Sequence, residues 1–292
     1  MKSIRYIAVP LWQGAEKRGV EMAPQSLLEG GLKAIMQRYA TVEYDEVAPI
    51  SETLNKDSKY AAIARFNKTL KQVVSQTIRE GALPFCVGGD HALGLGSVSA
   101  AAEQYDNLGL IWFDAHGDMN TESTSQTGHI HGMPVAALMG LCRSELNEVP
   151  SRHLKPDHIF WIGTRSLDAG EQALIDQLHL HVYTAEYVRQ TGMAHVMEEV
   201  QQEIQRLGIT HLHCSIDVDA MDPAIIPATG VAEPDGLNRE EYAAFVHALP
   251  QLPIQLSSID FVEYNPLLDD ADKNSRSTCL QFIEQLLREI TQ

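Results

Sequence analysis

With 292 residues, 44% of them hydrophobic, the chain is long enough to bury a large core. No composition break, Ser/Gly linker, low-complexity tract or internal repeat divides it, so one domain over residues 1–292 is expected. A formal charge of −17 and a pI near 5.0 weigh against partners such as nucleic acid or an anionic membrane, which require basic patches. Cys86, Cys142, Cys214 and Cys279 are widely spaced without a CxxC pair. Cys86 and Cys214 lie in apolar runs and read as small buried hydrophobes. The amino terminus leads straight into a strand pattern without a signal-peptide apolar region. No apolar stretch approaches the ~18 residues needed to span a bilayer. A cytoplasmic location is expected.

In chain order, Ile4 to Val9 reads as a strand closed by Pro10. A polar loop from Gly14 to Pro24 follows, and a helix begins with Pro24 in its first turn. Thr41 to Val47 reads as a second strand, and Tyr60 to Glu80 as a long amphipathic helix ended by Gly81. Leu83 to Val87 is a short apolar strand that runs into Gly88-Gly89-Asp90-His91, with a helix from Ala92 to Gln104 behind it. Gly109 to Phe113 is a strand, and Met133 to Leu141 a helix. The alternation continues with strand His158–Gly163, helix Gly170–Leu178, strand His181–Thr184, helix Gly192–Leu207 and strand His211–Val218. A helix near Arg239–Leu249, strand Gln255–Val262 and a final helix from about Ser277 to Ile290 complete the chain. Continuously apolar strands alternating with helices predict an α/β fold: a single domain with a central, mainly parallel sheet and helices on both faces. In such folds ligands bind beyond the carboxyl ends of the strands. The clusters at Gly88–His91, Asp114–Asp118, Arg165–Glu171 and Asp217–Asp222, with Glu263, all follow strands and are expected to share one face.

Asp114, His116 and Asp118 stand at alternating positions where an apolar strand ends. Side chains at i, i+2 and i+4 of an extended segment share a side, so the three converge if the strand persists. Taken alone, the pattern equally fits a loop whose acids cap a helix or face water. Asp217 and Asp219 repeat the spacing at the end of a second apolar strand. With His91 the candidate ligand set is two His and four Asp. Four carboxylates would leave one dication strongly anionic, whereas two dications nearly neutralise them. Oxygen-rich ligation with some imidazole suits Mn²⁺ better than structural Zn²⁺. Two metals a few ångströms apart would generate a bridging hydroxide at neutral pH. The glycines at 88–96 lack the Lys-[Ser/Thr] of a phosphate loop and the third glycine of a dinucleotide loop, and read as a tight turn under the site. Asp90 either orients a neighbouring imidazole or caps the following helix. His129 and His131, on a glycine-bounded loop, read as a general acid or proton shuttle. The remaining histidines read as structural or exposed. Glu263 is placed to bind a cationic substrate. Asp168 and Glu171 also fit a helix-capping pattern.

Gly-Gly-Asp-His at 88–91, Asp-Ala-His-Gly-Asp at 114–118 and Ser-Ile-Asp-Val-Asp-Ala-Met-Asp-Pro at 215–223 resemble the signatures of the ureohydrolases, the arginase and agmatinase group. The resemblance extends from Arg18-Gly19-Val20 to Glu263-Tyr264-Asn265-Pro266. It implies a binuclear manganese centre with two Mn²⁺ per subunit, hydrolysis of a guanidino C–N bond, and a homo-oligomer, trimer or hexamer. The loop from Asp118 to Pro134 is most similar to that of arginase, which implies L-arginine and water as substrates and ornithine and urea as products. By the same resemblance His91, Asp114, His116, Asp118, Asp217 and Asp219 are metal ligands. A bridging hydroxide attacks the guanidinium carbon, Asp118 takes its proton, His131 shuttles a proton to the leaving amine, and Glu263 holds the guanidinium. Asn120, Ser125, Thr127, His129 and Asp168, with Glu171 nearby, read the amino-acid end. Two residues depart from the arginase pattern: His129 stands where Asn is usual, and Val231 where Thr is usual. They keep open a ureohydrolase of other specificity (agmatine, guanidinobutyrate or formiminoglutamate) and a non-catalytic regulator. A two-metal phosphoesterase is disfavoured by the absence of an evident basic clamp.

Overall fold

A computed structural model describes residues 2–51, 55 and 58–292. Its strands are β1 (Ser3–Val9), β2 (Thr41–Glu46), β3 (Leu83–Gly88), β4 (Leu108–Phe113), β5 (Ile159–Thr164), β6 (His181–Thr184), β7 (His211–Asp217) and β8 (Gln255–Val262). They form one sheet in the order β2-β1-β3-β8-β7-β4-β5-β6, and every pairing is parallel. The helices are α1 (Ala23–Glu29), α2 (Leu32–Tyr39), α3 (Lys59–Arg79), α4 (Gly94–Gln104), α5 (Pro134–Leu138), α6 (Ala169–Leu178), α7 (Ala185–Thr191), α8 (Met193–Leu207), α9 (Arg239–Ala248) and α10 (Asn274–Ile290).

The inner strands are largely apolar because both sheet faces are covered. Along β4, Ile111 and Phe113 enter one core with Leu212, Ile216 and Phe245. Leu110 and Trp112 enter the other with Cys86, Val98 and Trp161. This is the period-two alternation of a strand buried on both sides. The edge strand β2 carries Glu43, Asp45 and Glu46 exposed, which discourages further pairing. All four cysteines are free and buried.

Several boundaries differ from expectation. Gly30 and Gly31 break the first helical stretch in two, with Gly31 at φ +105. The expected helix at 133–141 is only the five residues of α5, and a short helix, α7, precedes α8. Thr184 caps α7 by accepting a bond from Tyr187 N at 3.1 Å, a helix start that the adjoining strand pattern conceals.

The order of strands decides where chemistry can happen. The chain leaves β3 through α4 and returns as β4, skipping two positions that β8 and β7 later fill. The carboxyl ends of β3, β8, β7 and β4 therefore lie side by side at the middle of the sheet. They bring Gly88–His91, Glu263, Asp217 and Asp114 to one mouth, as expected for a parallel α/β sheet.

Candidate metal centre and substrate cavity

β4 ends at Phe113, so the strand on which convergence of Asp114, His116 and Asp118 was conditional does not persist through Asp118. Asp114 Oδ1 instead accepts from His116 N at 2.7 Å, closing a turn, and Asp118 takes φ +51. Aspartate suits both positions, since its carboxylate serves a backbone N–H two residues on and it tolerates the left-handed region. β7 finishes in the same way: Asp217 Oδ1 accepts from Asp219 N at 2.8 Å, starting a 3₁₀ turn at 218–220.

The two turns bring all six sequence-derived ligand candidates together. Among the described residues, the donor atoms of His91, Asp114 and Asp118 form one group, and those of Asp114, His116 and Asp219 form another. Asp114 belongs to both. His91 Nδ1 lies 2.8 Å from Asp114 Oδ2, 3.3 Å from Asp118 Oδ2 and 3.2 Å from Asp217 Oδ2. His116 Nδ1 lies 3.3 Å from Asp114 Oδ1 and 3.2 Å from Asp219 Oδ2. Burial, and then the charge of Asp114, push the Asp118 carboxyl well above its ordinary range; burial and the charge of Asp219 do the same to Asp217. Four carboxylates this close cannot all ionise without cations between them. His91 Nδ1 and Asp114 Oδ2 are buried 2.8 Å apart, and neither makes a well-formed hydrogen bond. Such orphaned donors, with the oxygen-rich set around them, fit a pair of divalent cations of the manganese type.

His91 is gripped from both sides. Its ring stacks on Trp112, with centroids 3.8 Å apart and an interplanar angle of 9°. A side chain at position 94 would put its Cβ 2.8 Å from that indole, which explains Gly94. His91 Nε2 lies 2.8 Å from Ser215 Oγ, a partner that the sequence reading missed. Asp90 does not orient the ring. Its carboxylate caps the 91–93 turn through Ala92 N at 3.1 Å and accepts from Gly14 N and Ala15 N at 2.7 and 3.0 Å. Gly14 O in turn accepts from Ile130 N at 2.8 Å, so Asp90 helps hold the loop that carries His131.

A cavity of about 280 Å³ opens beside the cluster. His131 and Glu263 form its inner wall, with His131 Nδ1 3.1 Å from Glu263 Oε1. The same oxygen accepts from His91 N at 2.9 Å. Burial alone would lower the His131 pKa, but the bond to Glu263 outweighs it and raises the value. Burial opposes the charge of Glu263, and His131 more than offsets it, so Glu263 titrates below its ordinary range. The outer wall is the loop 120–132, whose ends meet through Asn120 N and Gly132 O at 3.1 Å. Asn120, Ser125, Thr127, His129 and Asp168 all line the cavity. Asn120 Nδ2 donates to Asp168 Oδ2 at 2.8 Å, Ser125 Oγ accepts from Gly128 N at 2.9 Å, and Thr127 Oγ1 accepts from His129 N at 3.1 Å.

Glu171 departs from its expected place against a substrate. It also lines the cavity, yet its two oxygens accept from Met119 N at 3.1 Å and Asp168 N at 2.9 Å. Both bonds satisfy backbone at the start of α6 and of the loop, so the carboxylate supports the wall. Lys59, at the head of α3, donates to Gly128 O at 2.7 Å and pairs with Glu16 at 2.7 Å, clamping the loop from outside. Arg165 ties the 219–234 segment to the β5 end through Asp219 O and Glu233 O, both at 2.8 Å. No spacing rule flags these roles, because the partners of both cations are distant in sequence. A larger hollow, about 640 Å³, lies at the opposite ends of the strands beside Lys2, Leu83, His211 and Gln255, away from the donor groups.

The sequence model of the arginase family matches residues 2–288. The chain belongs to the arginase family. It is 36% identical over 288 residues to an arginase of Bacillus caldovelox, covering 94% of this chain and 95% of that protein. It is 34% identical over 293 residues to an arginase of Bacillus subtilis, covering 98% of each. Among solved structures it superposes on an Entamoeba histolytica arginase in complex with L-ornithine, at TM-score 0.92 and 30% identity over 98% of each chain. The protein is accordingly a hydrolase of this family, with a parallel eight-stranded sheet like that of its structural neighbours.

Proposed function

We propose that this arginase-family hydrolase cleaves L-arginine to L-ornithine and urea at a centre of two Mn²⁺ ions. The observation that carries the reading is the pair of donor groups sharing Asp114, set against a cavity whose inner wall is Glu263 and His131. His91, Asp114, Asp118, Asp217, His116 and Asp219 would hold the ions. When bound, two such cations would lower the pKa of a water and supply hydroxide at neutral pH.

The protein's own groups do the rest. Glu263, ionised and buried, offers its free oxygen to a guanidinium, the cation its charge requires. His131, whose Nδ1 is held by Glu263, keeps Nε2 for proton exchange, and its raised pKa favours the protonated form that a departing amine needs. Asp118, held as a carboxylate once cations are bound, would be placed to take the proton released during attack. The loop 120–132 supplies hydroxyl and amide donors of Asn120, Ser125 and Thr127 for the carboxylate end of the substrate, with Asp168 placed for its ammonium.

His129 and Val231, both lining the cavity, favour a second reading in which the tail of the substrate differs. A guanidino panel assayed for urea, ammonia and formamide on protein of measured metal content separates them. Urea from L-arginine at the highest kcat/KM supports the first reading. Urea from another guanidino compound with none from arginine would overturn it.

A further inference from the structure

Ionisable side chains are rare in strands covered on both faces, yet β7 and β8 carry two in their middles. His213 and Asp260 are both fully buried, with His213 Nε2 2.9 Å from Asp260 Oδ2. His213 Nδ1 meets Ser258 Oγ at 2.6 Å. Asp260 Oδ2 also accepts from Ser97 Oγ at 2.6 Å and from Ser215 Oγ at 3.4 Å. The strand register explains the meeting: His213 stands opposite Ser258, and Ser215 opposite Asp260. Because side chains alternate, His213, Ser215 and Asp217 leave β7 on one side, and the row ends in the donor cluster. Ser215 Oγ is the atom 2.8 Å from His91 Nε2.

The direction of every proton in this row follows from one requirement. His91 Nδ1 faces Asp114, Asp118 and Asp217 and must present a lone pair to hold a cation, so its proton resides on Nε2. That Nε2–H donates to Ser215 Oγ, and the Ser215 hydroxyl then donates onward to Asp260. An ionised carboxylate only accepts, so it fixes the row in this sense. Burial opposes the charge of Asp260, and His213 more than offsets it, keeping Asp260 below its ordinary range. A histidine–carboxylate pair that merely joined two strands would not need Ser215 and Ser97 on the same oxygen.

We propose that Asp260 and His213 form a positioning pair that fixes the tautomer and basicity of His91 through Ser215, and thereby sets the affinity of the cation site His91 would serve. The inference rests on the reading of His91 as a metal ligand. Partners behind metal-bound imidazoles typically change metal affinity by about 10–100-fold.

The test is calorimetric titration of Mn²⁺ into chelator-stripped protein, with thermal melting of the metal-free form measured in parallel. Asp260→Asn and Ser215→Ala are each expected to weaken one Mn²⁺ step by about tenfold or more. The double variant should be no weaker than the worse single, because both break one row. Ser215→Thr, which keeps the hydroxyl, should restore affinity. If Asp260→Asn fails to fold, the Ser215→Ala and Ser215→Thr pair decides alone. Variants that melt earlier while binding Mn²⁺ within twofold of the parent would overturn the proposal and leave the pair as a strand fastener. A parent protein that takes up no Mn²⁺ would instead overturn the metal-centre reading beneath it.

Discussion

His129 and His131 lie two residues apart, their rings 5.9 Å from one another, and are pushed in opposite directions. Burial, then the charges of His131 and Lys59, hold His129 below the ordinary value of 6.5, while Glu263 holds His131 above it. Imidazole NMR titration of the metal-free protein should show the two midpoints on opposite sides of 6.5; the reverse order would contradict the geometry. The stability effects have opposite signs. Between the depressed His129 value and 6.5 the unfolded chain binds more protons, so stability rises with pH in that window. The contribution of His131 is complete below 6.5 and is lost as pH rises through its raised value. His129→Asn should remove the first effect. If the cavity reads an amino-acid tail, the same change should lower KM for L-arginine by roughly fivefold, about 1 kcal/mol of binding, with kcat nearly unchanged. A collapse of kcat would place His129 in the chemistry instead. At this scale the sequence was informative wherever acids interrupt apolar strands. It marked Arg165 only as part of a polar cluster past a strand end and was silent on Lys59; of its two readings of Glu171 the helix-capping one fits, since its oxygens serve Met119 and Asp168.

The alternation of strands and helices was legible because the inner strands are buried on both faces and therefore mostly apolar. The strand mouths were not. Asp114, His116 and Asp118 come close without the strand persisting, since carboxylates at a strand end bond local N–H groups and turn the chain. Gly89 shows how tightly such a mouth is packed. A Cβ there would come within 1.7 Å of Leu11 O, a backbone atom that cannot swing aside. Gly132, on the substrate loop, would meet nothing within 4 Å. Gly89→Ala should therefore cost about 3 kcal/mol in urea unfolding. Gly132→Ala should cost less than about 0.5 kcal/mol. Equal effects would mean that the β3 mouth relaxes more freely than its contacts suggest.

For the molecule as a whole, the acid cluster would couple folding to any cation it binds. Asp118 and Asp217 have carboxyls raised above the ordinary 3.8, so without metal the folded chain binds more protons than the unfolded one above that pH. Metal-free protein should lose stability as pH rises through their folded-state values, and Mn²⁺ should restore it. Cation at 100 times its Kd contributes about 2.7 kcal/mol per site. Melting curves across pH with and without Mn²⁺ check this, and an absence of any Mn²⁺-dependent shift would contradict it. The family was readable from three short motifs in order; the tail of the substrate was not, because His129 and Val231 depart from the arginase pattern among the residues that line the cavity. The most direct measurement is urea release from L-arginine as Mn²⁺ is added back to stripped protein. The account predicts that activity appears with Mn²⁺ and levels off near two ions per chain. Full activity without metal, or none from arginine at saturating Mn²⁺, would contradict it.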